Sequence, residues 1–395
     1  MISFDQALAI IGSSARPVGS EKIALADAAA RVLARPVIAA IDSPRADVSA
    51  MDGYAVRSAG LGEYPLSLSI VGESFPGSGW DGAVEAGQCV RIFTGAPLPA
   101  GADRIVIQER VRREGDTIVI DADPGPATWV RPRGKDFRNG EEVLPAARLL
   151  DPAALIAAAG ADIAEVEAFA RPLLALLSTG DELVEPGDAR SSALAVPDSA
   201  SLGVAALAER WGAAVAGRVR LRDEPEEMQS AGSAALGSAD IVVVIGGASV
   251  GERDFAKAMF EPSGLELLFS RISIRPGKPA WFGRAKGKLV LGLPGNPTSA
   301  LVTARLLLTP LLATTQGRTI EDALVWEPAL LATPLGACDQ RETFHRARLA
   351  GDEASLLDFQ ESHAQKTLAQ ADVLIRQSAN SAALAAGEIV PVLRL

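Results

Sequence analysis

Two short apolar runs, each breaking at once into a glycine turn, narrow the fold of this chain more than any other feature. One reads DIVVVIGGASVGERDF from Asp240 and the other KLVLGLPGNPTSA from Lys288. Ile241–Ile245 and Leu289–Leu293 are too short for ordinary helices and lack polar alternation, so both are expected to be buried parallel strands. After the first, Gly246 to Gly251 must turn tightly and present backbone N–H groups. After the second, Asn296 suits a helix N-cap and Pro297 the first helical position. A strand that runs into a helix N-terminus favours anionic groups. Arg275 and Lys278, in RPGKP, lie between the two turns. One such turn fits any doubly wound scaffold. Two, flanking two cations and with Asp254 after the first, point to a phosphate or oxyanion site at the carboxyl ends of a parallel sheet. Gly247, Ser249, Pro294, Gly295, Asn296 and Pro297 are its candidate ligand contacts.

Composition excludes several classes. At about 100–200 residues per domain, 395 residues hold two to four domains. A formal charge of −11 argues against a nucleic-acid partner, so any anion site is a local concentration of Arg and Lys. No run of about 20 uninterrupted apolar residues is present, and no membrane span is expected. MISFDQALAI lacks the basic start of a signal peptide. Cys89 and Cys338 form no CxxC pattern, which fits a reduced, cytoplasmic protein. Two His and two Cys make a structural zinc site improbable.

In chain order, Ser3 and Gln6 form a capping box for a helix through Ile11. Glu21–Leu25 reads as a strand. Asp27 is expected to cap a second helix through Leu33, ended by Arg35-Pro36. Met51-Asp52-Gly53 puts a carboxylate at a turn just before a strand at Tyr54, although Asp-Gly is also a common turn dipeptide. From Leu66 to Val130 short strands alternate with Gly and Pro turns, the pattern of a small all-β insertion. Within it Thr94 is either an ordinary turn hydroxyl or a ligand contact. Arg131, Arg133, Lys135 and Asp136 form a charged knot, by default a solvated loop. Asp151 caps a helix from Pro152. From Pro172 strands and helices alternate, which implies a parallel sheet covered on both faces. Glu182, Asp223 and Asp254 each follow a different strand and are expected to share one crevice. Three carboxylates beside two cations are best explained by a divalent cation, Mg²⁺, plus an anionic ligand. Residues 328–395 read as a C-terminal β domain, a small barrel.

SAMDGYAV, RIFTGAPLPAGAD, STGDELVEPG, GGASVGERDF, RPGKP and LPGNPTSA, in this order, resemble the molybdopterin molybdenumtransferase family, MoeA-like proteins and the gephyrin E domain. The resemblance spans nearly the whole chain and implies an α/β multidomain protein. Its parts would be a discontinuous N-terminal α/β domain (1–42 and 137–170), an inserted β domain (43–136), a central molybdopterin-binding α/β domain with a parallel sheet (171–318) and a C-terminal β-barrel-like domain (319–395). It implies insertion of molybdate into adenylylated molybdopterin, with Mg²⁺-dependent cleavage of the pyrophosphate link to AMP and molybdenum cofactor. Asp52 and Thr94 would serve the reaction from the small-domain side, and Glu182, Asp223 and Asp254 would handle Mg²⁺ and phosphates. Arg275, Lys278, Ser299, Arg346 and Ser362 would bind molybdate, and Arg131 and Asp136 would contact substrate. His345 and His363 sit beside two of these residues, and for each a structural or modest polar role is favoured. The resemblance also implies an elongated homodimer that brings Asp52 and Asp254 together from different subunits. Further partners would be the adenylyltransferase and the proteins that accept the cofactor.

Two positions depart from the family pattern. Arg275 stands where Lys is usual, which keeps the charge but changes its geometry. Ala200 replaces the amide of the usual Asp-Ser-Asn after Asp198-Ser199. Two alternatives remain: the adenylyltransferase one step earlier, which needs neither SAMDGYAV nor the terminal domains, and a non-catalytic pterin scaffold, which need not keep the acidic trio.

Overall fold

The computed structural model describes residues 1–247 and 255–395. They pack as two compact units, one of residues 1–21, 30–34 and 167–395, the other of residues 22–29 and 35–166. The expected discontinuous domain is shared between them.

The larger unit is built on a six-stranded sheet. Its spatial order is Ala214–Leu221, Leu173–Thr179, Ile241–Ile245, Lys288–Leu293, Trp281–Ala285, Glu266–Phe269. The first four strands are mutually parallel, as expected. The last two are antiparallel, which corrects the purely parallel reading. Lys286 and Gly287, both at positive φ, turn the chain straight back between Ala285 and Lys288, too tightly for a parallel crossover. Ile241, Val243 and Ile245 pack on one face with Phe4, Val204 and Leu307. Val242 and Val244 pack on the other with Met228, Leu236 and Phe260. All five strand residues are at most 2% exposed. Burying each contributes about 1.5–3 kcal/mol, which is why this strand tolerates no polar alternation.

Phe4–Ser14 is helical and carries the expected Ser3–Gln6 capping box. The helix expected from Asp27 to Leu33 does not form; Leu25–Asp27 is a single 3₁₀ turn and Ala30 has φ +59°. Arg31 is buried, and it bonds Glu21 at 2.6 Å and the Phe169 carbonyl at 2.8 Å. Leu33 bridges to Ala168. These long-range partners override an Ala-rich helical propensity that is weak by itself. Pro297–Thr315 is long and apolar enough to cross a membrane, but 89% of it is buried in the larger unit as a core helix.

At the C-terminus, Glu342–Ala350, Glu353–Leu356, Glu327–Leu331, Ile389–Arg394 and Val373–Gln377 pair in sequence around a ring. Val373–Gln377 closes it back onto Glu342–Ala350. Closure leaves this small barrel without open edges, apart from the end of Glu342–Ala350 that takes Ile274–Arg275 as an added parallel strand.

The smaller unit holds a six-stranded sheet in the order Arg104–Ile107, Gly53–Val56, Gln88–Ile92, Leu66–Ser74, Thr117–Ile120, Arg112–Glu114. This is the expected β insertion. Pro152–Gly160 is a helix capped by the Asp151 side chain on the Ala154 N–H.

Candidate functional site

In the larger unit the neighbours of Leu173–Thr179 lie on opposite sides, Ala214–Leu221 on one and Ile241–Ile245 on the other. Such a reversal opens a crevice at the strands' carboxyl ends. A cavity of about 980 Å³ lies there, walled by the turns after Thr179, Ile245 and Leu293 and by Asp223. Gly246 and Gly247 have φ of +97° and +62°. A Cβ on Gly246 would stand 2.7 Å from the Thr179 carbonyl oxygen, and one on Gly247 2.9 Å from Ala256 Cβ. Only glycine fits both conformation and space. Gly295 lies close against the first turn, since a Cβ there would stand 3.3 Å from Gly246 Cα. The two turns singled out in the sequence therefore meet, bringing Gly247, Pro294, Gly295, Asn296 and Pro297 to one wall. Ser249 and Asp254 lie outside the described residues.

Glu182 and Asp223 share this crevice, as expected. Asp181, which the sequence reading passed over, joins them; its Oδ1 accepts the Asp223 N–H at 3.2 Å. Burial first, then the charges of Asp181 and Glu182, raise the Asp223 carboxyl above its ordinary range. Its position directly before Glu182 was the available signal for Asp181. Among the described residues no cluster of three or more Asp, Glu, His or Cys is set to hold a metal by itself. Mg²⁺ needs only one or two carboxylates when phosphates complete its shell, so the hard oxygens of Glu182 and Asp223 fit it. Another part of the crevice wall carries hydroxyls. Ser178, Thr179 and Ser199 line the crevice with buried hydroxyl oxygens that have no hydrogen-bond partner among the described residues. Just past the wall residue Pro297, the Thr298 hydroxyl is likewise buried without one, and Ser299 is buried on the same helix. Buried hydroxyls are normally satisfied, so this group suits an oxygen-rich ligand. The departure at Ala200 falls in this wall too.

The cations are placed differently from the expectation. Arg275 and Lys278 both precede the wall residue Pro279 in sequence but do not line the cavity. Arg275 pairs with Asp339 at 2.5 Å. Arg346 is 2% exposed. It donates to Gln360 Oε1 and to the carbonyls of Phe359, Glu361 and Ala364. Every guanidinium nitrogen is engaged, so Arg346 shapes the loop that presents Ser362. Ser362 reaches the crevice through Asn296, whose Nδ2 donates to Ser362 Oγ at 2.9 Å. Asn296 occupies the expected cap position, but its side chain makes this contact and not a cap bond. His345 bonds Gln377 at 2.9 Å, and burial lowers its pKa. His363 packs edge-on against Phe359.

In the smaller unit Asp52 and Thr94 come together. Asp52 Oδ1 accepts from the Thr94 N–H at 2.7 Å and its hydroxyl at 2.8 Å. Those bonds, with Arg91 nearby, hold the Asp52 carboxyl below its usual range. Gly53 is required next to it, because a Cβ there would stand 2.2 Å from the Val106 carbonyl oxygen. Arg91, not singled out in the sequence, donates to the Gly53 carbonyl and to Gln108. Arg131 pairs in register with Val48, and the Asp136 N–H bonds the Ser43 carbonyl; both side chains are exposed.

A glycine-turned crevice at a sheet's switch point, lined by carboxylates and by unpartnered hydroxyls, is the kind of site that takes a phosphate-bearing ligand in an α/β domain. Three family models match the chain: the MoeA N-terminal region (domain I and II) over 2–161, a probable molybdopterin binding domain over 175–314 and the MoeA C-terminal region (domain IV) over 328–395. A molybdopterin molybdenumtransferase of Haemophilus influenzae is 36% identical over 99% of this chain and 98% of its own. One from Nostoc sp. is 34% identical over 80% of this chain and 73% of its own. A crystal structure of a molybdopterin biosynthesis MoeA protein from Pyrococcus horikoshii superposes with a TM-score of 0.83 at 29% identity, covering all of this chain and 99% of that one. The chain belongs to the MoeA family of molybdopterin molybdenumtransferases.

Proposed function

We infer that this protein is a transferase of molybdenum cofactor biosynthesis that inserts molybdate into adenylylated molybdopterin, releasing AMP and the finished cofactor. The observation that carries this reading is the crevice lined both by Glu182 and Asp223 and by the unpartnered hydroxyls of Ser178, Thr179 and Ser199. The carboxylates suit a cation that neutralises a phosphoanhydride, and the hydroxyls suit the oxygens of the phosphates. Mg²⁺, when bound at Glu182 and Asp223, would supply charge neutralisation. The chain itself then does most of the work by positioning. Molybdate is assigned to the neighbourhood of Lys278, Ser299 and Ser362, with Arg275 in reach after leaving Asp339. Arg346 acts there by holding the Ser362 loop. The working form is a homodimer in the cytoplasm, supplied by a molybdopterin adenylyltransferase and unloading to cofactor-accepting proteins.

The adenylyltransferase reading is not favoured, because the family match includes the N-terminal and C-terminal regions beside the pterin domain. A pure scaffold has no use for the acidic crevice. The test is incubation of the purified chain with adenylyl-molybdopterin, Mg²⁺ and molybdate. AMP release together with active cofactor is expected. An intact adenylylated pterin after prolonged incubation would reject the assignment.

A further inference from the structure

Beside Asp52 and Thr94 the smaller unit carries a ladder of flat groups. The Phe75 and Phe93 rings stack with centroids 4.7 Å apart and planes 13° from parallel. The buried pairs Phe4–Phe344 and Phe260–Trp281 instead meet edge to face, at 69° and 61°. The Arg91 guanidinium lies 4.8 Å from the Phe93 centroid and 5.0 Å from that of Tyr54. Hydrogen bonds to the Gly53 carbonyl and Gln108 fix Arg91 in turn. Phe75 ends the ladder and is 44% exposed.

The local sequence holds that exposed ring still. Phe75 opens a tight turn in which the Gly79 N–H bonds back to its carbonyl at 3.0 Å. The turn rests on the one that carries Thr94. A Cβ on Gly79 would stand 2.9 Å from Pro97 Cγ, and Ser74 Oγ donates to the Pro97 carbonyl at 2.8 Å. Phe93 directly precedes Thr94, so the ladder and the Asp52–Thr94 pair are one construction. An exposed apolar ring already stacked on a neighbour, above a pinned backbone turn, has less freedom to lose on binding. Its flat face accepts any π system with little regard to the identity of the ring.

We propose that Phe75, backed by Phe93 and Arg91, is a stacking platform for a planar nitrogen heterocycle of the substrate, its adenine or its pterin ring. This rests on the activity inferred above, whose substrate carries both rings. Continuity with the Asp52–Thr94 pair favours a substrate ring over a protein surface as occupant.

The experiment compares full-length wild type, Phe75→Ala and Phe75→Trp. The probes are AMP, ribose 5-phosphate (which lacks the base) and the fluorescent pterin-6-carboxylate, with AMP release from adenylyl-molybdopterin assayed alongside. Phe75→Ala is expected to lose about tenfold in affinity for one ring probe. Phe75→Trp should retain it, and ribose 5-phosphate should bind all three proteins alike. The weakened probe identifies the ring. Equal binding of both ring probes by wild type and Phe75→Ala overturns the platform, and normal AMP release in that case leaves the activity standing. A change in oligomeric state with unchanged ring binding overturns it in favour of a protein contact. Ring binding that depends on Phe75 in a protein that releases no AMP upholds the platform and rejects the activity.

Discussion

Asn296 and Ser362, 66 positions apart, are joined by a 2.9 Å hydrogen bond from Nδ2 to Oγ. The bond ties the helix-entry turn of the crevice to a loop of the C-terminal barrel. The loop is held from beneath by Arg346, whose donors meet Gln360, Phe359, Glu361 and Ala364. The two anchors differ in strength, because Arg346 is buried and charged while the Asn296 contact is neutral and solvent-accessible.

Arg346→Ala is therefore expected to destabilise the protein by about 3 kcal/mol, since it strands several carbonyls that a charged donor had satisfied. Ser362→Ala should cost about 1 kcal/mol or less. Urea unfolding would compare them. Hydrogen exchange should show residues 359–364 loosened in both. Arg346→Lys should not restore the loop, because an ammonium cannot span the same carbonyls.

Asp223 is expected to trade stability for function. Its folded pKa is raised above the ordinary 3.8 by burial, Asp181 and Glu182. A carboxyl so shifted contributes stability while protonated, below the unfolded value, and loses it as pH rises through the folded value. At neutral pH the ionised group thus weakens the fold. Asp223→Asn should melt higher than wild type at neutral pH and lose less stability as pH is raised from 3.8. Its turnover should need about 10–100-fold more Mg²⁺. A variant that melts lower at neutral pH would contradict the electrostatic account.

The Arg275–Asp339 pair is about half exposed on both sides and so weak, worth about 0.2–1 kcal/mol. If molybdate draws on Arg275, it must compete with Asp339. Asp339→Asn is then expected to lower the half-saturating molybdate concentration about two- to fivefold. Lys278→Ala should raise it roughly tenfold or more. Molybdate titrations of AMP release read both, and superimposable curves would remove these residues from the anion's path.

The proposed dimer makes a complementation test available. If Asp52 of one protomer and Asp223 of its partner serve one site, the Asp52→Ala and Asp223→Ala homodimers should each be nearly inactive. Refolded together in equal amounts, about half the dimers are mixed, and each of those holds one intact site. Roughly a quarter of wild-type activity should return. No rescue, with subunit exchange verified by co-purifying tags, would place both residues in sites formed within one chain.

Features written in adjacent residues could be read directly from the chain. The Ile241–Ile245 strand, its glycine turn, the Ser3–Gln6 capping box and the Asp151 cap were all legible, because their causes act within a few positions. The convergence of Glu182 and Asp223 was legible too, since strand ends in an alternating α/β chain share one side of the sheet. Tertiary structure alone decided what long-range partners control. The Ala-rich segment from Asp27 gave up its helix to the long-range bonds of the buried Arg31 and the bridge from Leu33. Arg346, a candidate molybdate contact by resemblance, is drawn inside by four acceptors on a loop that follows it. Asn296 stands where a cap is expected, yet its side chain reaches a barrel serine. A side chain's identity states which bonds it is able to make. Which of them it makes depends on the groups that chain folding brings within about 3 Å, and neighbouring letters do not record that distance.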